Sequence, residues 1–515
     1  MRNFFLTLIA FLFFSFAGNA QKFNLKQNEE PFHKGGMADY KEKIYSLGFF
    51  DGKFYYYKNY PLSKKKPDEI IAVDDKANFS VVNTVNIENK LKNGVAGITG
   101  RRFSNETEFG FFDINRDANV IKFSKYVFSS GKSKAKVKEV TSITLQKDEH
   151  HKIYSSISPD KSKIAYLVNA LTLKKGDLFY DRSYLLMFDN NGNLLWQTNF
   201  KLNFANSSFR IEGIAVNNDA EAYIVSLSYE NKKNRQENQV IETFLANENG
   251  IESRRKSDKK GVNVTDMSFI TLNNGNLFIG GYYSHKSVNT NRETGYFGHD
   301  KGDFESYGKF GLLLNKDDLS EIAFNVIDFK NSIPKGATYD ESYSHYYYTL
   351  VNTIIETADG NITLFGEEYR QEPGNNYVPP MAKTRNLIID AFNQSGELVN
   401  SSILFKKQER YSSLLAVFSD VIKVGDKIFA IYNESNTHSL KVNKPIDDEY
   451  EMKKYKKEGI VVLCEIKNGL PQEKQQIMDC AVSQKLFVSG VVLTDNSLLV
   501  RTMQDTKSFL NVLSW

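Results

Sequence analysis

One stretch of this 515-residue chain, Ser284–Lys309, concentrates residue types that can do chemistry: His285, Glu293, His299, Asp300, Asp303 and Glu305, set among glycines. His299 with Asp300 and Asp303 has the nitrogen and oxygen donors of a metal site, although spacing along a loop does not set the geometry a metal demands. The plainer reading is a solvated polar loop, where most charged side chains sit. A second concentration is aromatic, Tyr343-Ser344-His345-Tyr346-Tyr347-Tyr348. Tyrosines offer large apolar area with a polar tip, which suits contact with a sugar or a protein. Tyr347 and Tyr348 read as the start of a buried strand, which leaves Tyr343 and His345 as loop candidates. A third is Arg370 and Arg385 around Tyr377-Val378-Pro379-Pro380, where two prolines stiffen the presentation of neighbouring side chains. The plainer reading there is loop rigidity alone.

Other constellations are weaker. Glu367-Glu368 is an acidic pair, but carboxylates that hydrolyse glycosides must converge in space. His150-His151 could bind a metal or move protons, and reads equally as a hydrated connector. Asp189-x-Asn191-x-Asn193 imitates the start of a calcium loop, yet its twelfth position is Phe200 and not glutamate, so a hairpin turn is expected. The chain has no H-E-x-x-H, G-x-S-x-G, G-x-x-x-x-G-K-[ST], C-x-x-C or G-x-G-x-x-G motif, and no motif calls for a cofactor.

The elements that must position these residues are strand–turn–strand units of two alternating kinds. One kind turns at Phe50-Asp51-Gly52, Ser158-Pro159-Asp160, Asn217-Asn218-Asp219, Asn273-Asn274-Gly275, Ala358-Asp359-Gly360, Gly425-Asp426 and Asp495-Asn496. The other turns at Asp74-Asp75, Ile114-Asn115-Arg116-Asp117, Asn190-Asn191-Gly192, Asn249-Gly250, Asp317-Asp318, Gln394-Ser395-Gly396 and Asn468-Gly469. Two hairpins make a four-stranded unit, and a ring of such units is a β-propeller. The expected fold is therefore all-β, a single propeller over 21–515. Its blades fall near 44–87, 93–145, 150–204, 210–262, 265–330, 350–405, 412–475 and 482–514. The last has three strands of its own and is closed by a strand near Phe23–Lys26. Eight blades is the favoured count, and seven follows if the weakly marked second unit merges with the first. Runs such as Leu185-Leu186-Met187-Phe188 and Val461-Val462-Leu463 are apolar throughout, as strands covered on both faces are. An outer-membrane barrel would alternate instead. It stays as an alternative because aromatics are frequent and the chain ends in Trp515.

Strand parity then sorts the connections. Antiparallel strands place first-to-second and third-to-fourth turns on one face of the disc, and second-to-third and blade-to-blade connections on the other. The marked turns all belong to the first set. The long insertions, Tyr60–Asp68, Ala170–Arg182, Glu230–Gln239, Ser284–Lys309, Ser332–His345, Arg370–Arg385 and Ser435–Glu458, all belong to the second. Long loops on a rigid scaffold are where binding resides. The last of them carries helix signals: acids at Asp447-Asp448-Glu449, bases at Lys453 to Lys457, then Gly459.

In the third unit, Ser158-Pro159-Asp160-Lys161-Ser162-Lys163-Ile164-Ala165-Tyr166, followed by Tyr184-Leu185-Leu186-Met187-Phe188-Asp189-Asn190-Asn191-Gly192-Asn193, resembles one repeat of the TolB-type, WD40-like propellers. Leu194-Leu195-Trp196 also resembles a quinoprotein-type blade. The match covers about one blade. It implies the fold, which hosts many unrelated functions, and no family activity.

The N-terminus reads as a secretory signal peptide over 1–20: Arg2, an apolar run from Phe4 to Phe16, and small residues at Gly18 and Ala20, with cleavage expected before Gln21. The apolar run is shorter than the ~20 residues a membrane span needs. A net charge of +4 over this length does not point to nucleic acid. Arg254-Arg255-Lys256 falls on an expected outermost strand, where charge guards a free edge. The two cysteines, Cys464 and Cys480, could pair in an oxidising compartment, but a hairpin turning at Asn468-Gly469 sets Cys464 opposite a residue near 473, and two buried thiols is the other reading. These observations lead to an exported, periplasmic or extracellular, non-catalytic propeller. It would bind an envelope protein or glycan through its long-loop face, with His285, His299, Asp300, Asp303, Tyr343, His345, Arg370, Tyr377 and Arg385 as candidate contacts. The alternative is a propeller enzyme acting on carbohydrate or phosphate through carboxylates around the channel.

Overall fold

The computed structural model describes residues 24–26, 43–50, 53–59, 68–74, 81–87, 102–104, 108–117, 119–129, 136–147, 149–174, 177–206, 208–229, 239–285, 306–332, 348–372, 381–406, 408–411, 419–434, 460–479, 486–504 and 507–515, some of them as backbone only. Its strands form eight separate antiparallel sheets among the described residues. In chain order, sheet 1 is Lys43–Phe50, Lys53–Asn59, Asp68–Asp74 and Val81–Ile87. Sheet 2 is Arg102–Ser104, Glu108–Asp117, Val120–Ser129 and Lys136–Thr144. Sheet 3 is His150–Ile157, Lys163–Lys174, Asp177–Asp189 and Leu194–Phe200. Sheet 4 is Phe209–Val216, Ala222–Tyr229, Gln239–Asn247 and Gly250–Ser257. Sheet 5 is Asn263–Thr271, Leu277–Ser284, Gly308–Leu314 and Glu321–Asp328. Sheet 6 is Tyr348–Glu356, Ile362–Glu372, Met381–Phe392 and Leu398–Leu404, with Gln408–Tyr411 added beside the start of its third strand. Sheet 7 is Asp420–Val424, Lys427–Glu434, Ile460–Lys467 and Leu470–Asp479. Sheet 8 is Leu486–Thr494, Ser497–Gln504 and Lys507–Ser514, with Asn24–Lys26 as its outermost strand.

First strands of consecutive sheets touch from sheet 3 through sheet 8, and sheets 1 and 2 touch in the same way. This is a β-propeller. Strands divided among separate sheets exclude the single closed sheet of a membrane barrel over these residues.

The apolar runs explain which strands lie inside. Leu277–Ser284 and Gly308–Leu314 are buried at every position, whereas Leu194–Phe200, an outermost strand, is half-buried and exposed in alternation. The cores lie in the seams between sheets. Leu185 and Met187 of sheet 3 pack with Phe209, Ile224 and Phe244 of sheet 4, and Phe365 and Ile389 of sheet 6 pack with Ala430 and Val462 of sheet 7. At the seam of sheets 5 and 6 the approach is closer still: a Cβ on Gly366 would lie 1.9 Å from the Tyr282 hydroxyl, so only glycine fits.

Polar ties cross the seams as well. Near the channel, Tyr154 Oη donates to Ile211 O (3.0 Å), Val351 N donates to Asp266 Oδ2 (2.7 Å), Asn352 Nδ2 donates to Ser419 O (2.7 Å) and Gly490 N donates to Asp420 Oδ2 (2.7 Å). The accepting or donating backbone lies beside a one-residue register shift in sheets 4, 6 and 8. Such a bulge frees a backbone group from the ladder for a neighbour to use. The outermost strands carry bulges of their own. The shifts leave out Leu195, Ile322 and Val399, all exposed, just after the third-to-fourth turn. A kink at that point disfavours pairing of the free edge with another chain.

Connection lengths follow strand parity with two corrections. Asp117 ends the second strand of sheet 2, so the turn expected at Ile114–Asp117 joins second to third strand and lies on the face assigned to long connections. Ala170–Arg182 is not an inserted loop. Its residues continue strands two and three of sheet 3 as a ribbon, with Leu171 opposite Tyr180 and Lys174 opposite Asp177, past a register shift at Ala170/Leu171. Sheet 6 extends in the same direction, with Arg370 opposite Lys383 and Gln408–Tyr411 alongside. Asp189 does act as a hairpin residue, its Oδ1 accepting from the N–H groups of Asn191 and Asn193 (2.8 Å each). The helix expected after Asp447 lies outside the described residues.

Candidate functional site

On the face of long connections, three chain segments meet at sheet 5. The connection after Gly250–Ser257 brings Lys259 and Lys260, the end of Leu277–Ser284 brings Tyr283 and His285, and the exit of Glu321–Asp328 brings Asp328 and Asn331. They line a groove of about 420 Å³, to which Val262, Val326 and Ile327 add apolar surface.

Two of these segments are tied through His285. Its Nδ1–H donates to Gly261 O (3.0 Å), and its Nε2 lies 3.5 Å from Asp328 Oδ1. The same Asp328 oxygen accepts a hydrogen bond from the Tyr283 hydroxyl. Burial, and then that hydrogen bond, hold the Tyr283 phenol above its usual range, so it stays a donor. The imidazole ring rests between Tyr283 and Tyr307, each 5.3 Å away by ring centres. It is half-exposed, at 50 % of its side-chain surface. Lys259 Nζ lies 5.3 Å from the Phe324 ring centre, a cation–π contact that leaves the ammonium without a carboxylate partner among the described residues. The groove's one acid is thus engaged from inside, while its lysines are exposed.

A second polar cluster lies in sheet 6. Glu367 and Glu368 do not converge, because consecutive strand residues face opposite sides. Glu367 is fully buried and ion-paired with Lys406, and it accepts from Ser419 N (3.0 Å) and Asn352 Nδ2 (3.0 Å). Burial outweighs these partners and raises its carboxyl. Glu368 accepts from Asn386 Nδ2 (2.9 Å) and is pushed up to about 7 by burial, against the opposing charge of Arg385.

Of the residues nominated from sequence, His285 lies in the groove and Arg385, half-buried, stands beside Glu368. Arg370 occupies Ile362–Glu372, and only its backbone is described. His299, Asp300, Asp303, Tyr343, His345 and Tyr377 lie outside the described residues. Cys464 is a buried thiol opposite Lys474, its Sγ 3.4 Å from Gln472 O, and burial pushes it up to about 12. Cys480 lies outside the described residues. No group of three or more metal-ligating side chains occurs among the described residues. None of their helices is long and apolar enough to cross a membrane. Lys259, Lys260, Tyr283 and Asp328 were not picked out from sequence. The available signal was parity, since the blade-to-blade connection at 258–262 had to reach the face that carries His285.

No family model matches the chain, and no curated protein matches it. Among solved structures it is similar to Sqt1 of Chaetomium thermophilum bound to the N-terminus of ribosomal protein L10, at 7% identity over 95% of this chain and 99% of that one, with a TM-score of 0.41. It is also similar to the polysaccharide lyase Uly1, at 10% identity over 84% and 92% with a TM-score of 0.37. A subtype N10 neuraminidase-like protein from a little yellow-shouldered bat source matches at 10% identity over 81% and 94%, with a TM-score of 0.31. The fold assignment rests on the sheet order and seam contacts described above.

Proposed function

We propose that this protein is an exported, non-catalytic β-propeller that binds a protein or glycan of the bacterial cell envelope through the face of long connections. The observation that carries this reading is the meeting of three such connections around one open, mixed-polarity groove at sheet 5. On the opposite face, short turns are tied to the neighbouring sheet: Asp160 N donates to Asn218 Oδ1 (3.1 Å) of the next turn, and the strand residues Tyr223 and Ser402 donate from Oη to Gly275 O (2.9 Å) and from Oγ to Gly469 O (2.6 Å). A rigid scaffold on one side and exposed groups on the other is the division of labour of a recognition domain. Export rests on the N-terminal residue pattern, and a periplasmic or extracellular location follows from it.

The test is capture of partners from envelope extracts by the wild type and by a variant in which 286–305 is replaced by a short Gly-Ser linker. Loss of captured partners supports the reading, and equal recovery counts against it.

Glu368 favours a second reading, an enzyme acting on carbohydrate or phosphate. A carboxyl at about 7 is in the range of a general acid. In that case hydrolysis of a glycoside or phosphoester panel by the wild type would be abolished by Glu368→Gln. Equal turnover by the variant would remove Glu368 from consideration.

A further inference from the structure

A run of positive charge leads into the sheet 5 groove. Residues 254–260, Arg-Arg-Lys-Ser-Asp-Lys-Lys, hold five cations to one acid, in a chain whose entire net charge is +4. They run down the outermost strand of sheet 4 and over the connection into the sheet 5 groove. Arg254 is committed, ion-paired with buried Glu242 and stacked on Phe204 and Phe244. Arg255 reaches Glu321 only at 3.9 Å. Lys256, Lys259 and Lys260 are exposed and have no carboxylate partner among the described residues. Asp328 lines the same groove, where its Oδ1 accepts from Tyr283 and lies beside His285, and no ion pair joins it to these lysines among the described residues.

On the reading of this face as a binding surface, we infer that the groove at Lys259, Lys260, His285 and Asn331 binds an acidic saccharide, one carrying carboxylate or sulfate groups. The lysines pair with the acid groups, and the Asn331 amide serves ring hydroxyls. Val262, Val326, Ile327 and the half-exposed His285 ring meet the apolar C–H face of the sugar. An acidic peptide would need the cations but not this apolar patch beside them. The volume of about 420 Å³ falls within the range of small-ligand clefts, roughly 300–1,000 Å³. Exposed charge pairs are screened by salt, so affinity should fall as ionic strength rises.

The test is titration calorimetry of the full mature chain with an oligogalacturonate, a dextran sulfate oligomer, neutral dextran and poly-L-glutamate, at low and physiological salt. The expected result is salt-sensitive binding of at least one acidic saccharide, none of neutral dextran, and weaker binding of polyglutamate. Lys259→Ala/Lys260→Ala should lose at least about tenfold in affinity, and Asn331→Ala less, with unchanged thermal midpoints. Polyglutamate bound as tightly as the saccharides, and lost equally in the double variant, would overturn the saccharide in favour of an acidic protein. Absence of binding to every acidic polymer, or binding unchanged in the double variant, would overturn the groove assignment. If envelope partners were still captured in a manner dependent on 286–305, the broader binding reading would survive that failure.

Discussion

The seam between sheets 3 and 4 and the seams linking sheets 5, 6 and 7 solve the same packing problem with different chemistry. The first is mainly aromatic, with one ion pair, Arg254 with buried Glu242, set against the Phe204 and Phe244 rings. Phe204 stacks on Phe209 at 4.3 Å between ring centres, and Tyr180 and Phe244 meet Phe209 edge-on at 5.5 and 6.1 Å. The others bury whole ion pairs: Lys309 with Asp390, which also accepts from Ser401 Oγ (2.7 Å), and Lys406 with Glu367, both pairs closed to solvent. Lys474 donates to Phe405 O (2.6 Å) across the same boundary between sheets 6 and 7. An apolar seam gains from burial and has no proton equilibrium to disturb it. A buried ion pair gains little net stability, but breaking it leaves an uncompensated charge. The difference predicts a larger pH response at the seams of sheets 5, 6 and 7 than among the rings of the sheet 3–4 seam.

Removing a ring from the aromatic seam should have the largest effect. Phe209→Ala should cost about 3–5 kcal/mol in urea denaturation, by the same amount at pH 5 and pH 8. Lys406→Met should cost slightly less, about 3–4 kcal/mol near neutral pH. That loss should shrink in acid, where Glu367 takes up a proton. A loss that did not vary with pH would erase the contrast between the seams.

Glu368 gives a smaller effect with a definite sign. Its carboxyl titrates at about 7 in the folded protein and near 4.5 when free, so between those values the folded state holds the extra proton. Its contribution to stability is fully present below about 4.5 and is lost as pH rises through 7. Asp420, also raised by burial, acts in the same direction. The thermal midpoint should therefore decline from pH 5 to pH 8 in the wild type and decline less in Glu368→Gln. Identical profiles would show that the folded carboxyl titrates normally. The smallest effect should come from Asp266→Ala, which deletes one inner tie to Val351 N, at about 1–2 kcal/mol by the same denaturation assay.

Much of this architecture was legible because turn residues have few substitutes. Asn217 and Asn393 each accept from N–H groups two and four residues on, and each donates its amide to a glutamate four residues on, Glu221 and Glu397. That Asn-x-x-x-Glu pattern marks the turn whatever the strands contain. Sheet 2 was misread because no glycine stands between its second and third strands, while Asn115-Arg116 inside the strand imitates a turn. The ribbon beyond Ala170 was misread because the polar sequence from Lys174 to Arg182 resembles a loop, whereas Lys174 pairs with Asp177 at the end of two long strands. At the site, His285 was recognisable by type. Its partners Gly261 and Asp328 stand 24 and 43 residues away on other connections, and only the assembled sheet order brings them together.

The pairing of Asn24–Lys26 with Lys507–Ser514 sets a timing constraint on biosynthesis. A three-residue strand cannot hold its place until a partner almost the whole chain away has been made, so sheet 8 is completed only after synthesis of its last hairpin. Until then the third strand of sheet 8 has a free edge. A chaperone that holds either terminus would delay completion of that sheet far more than one acting on the middle of the chain.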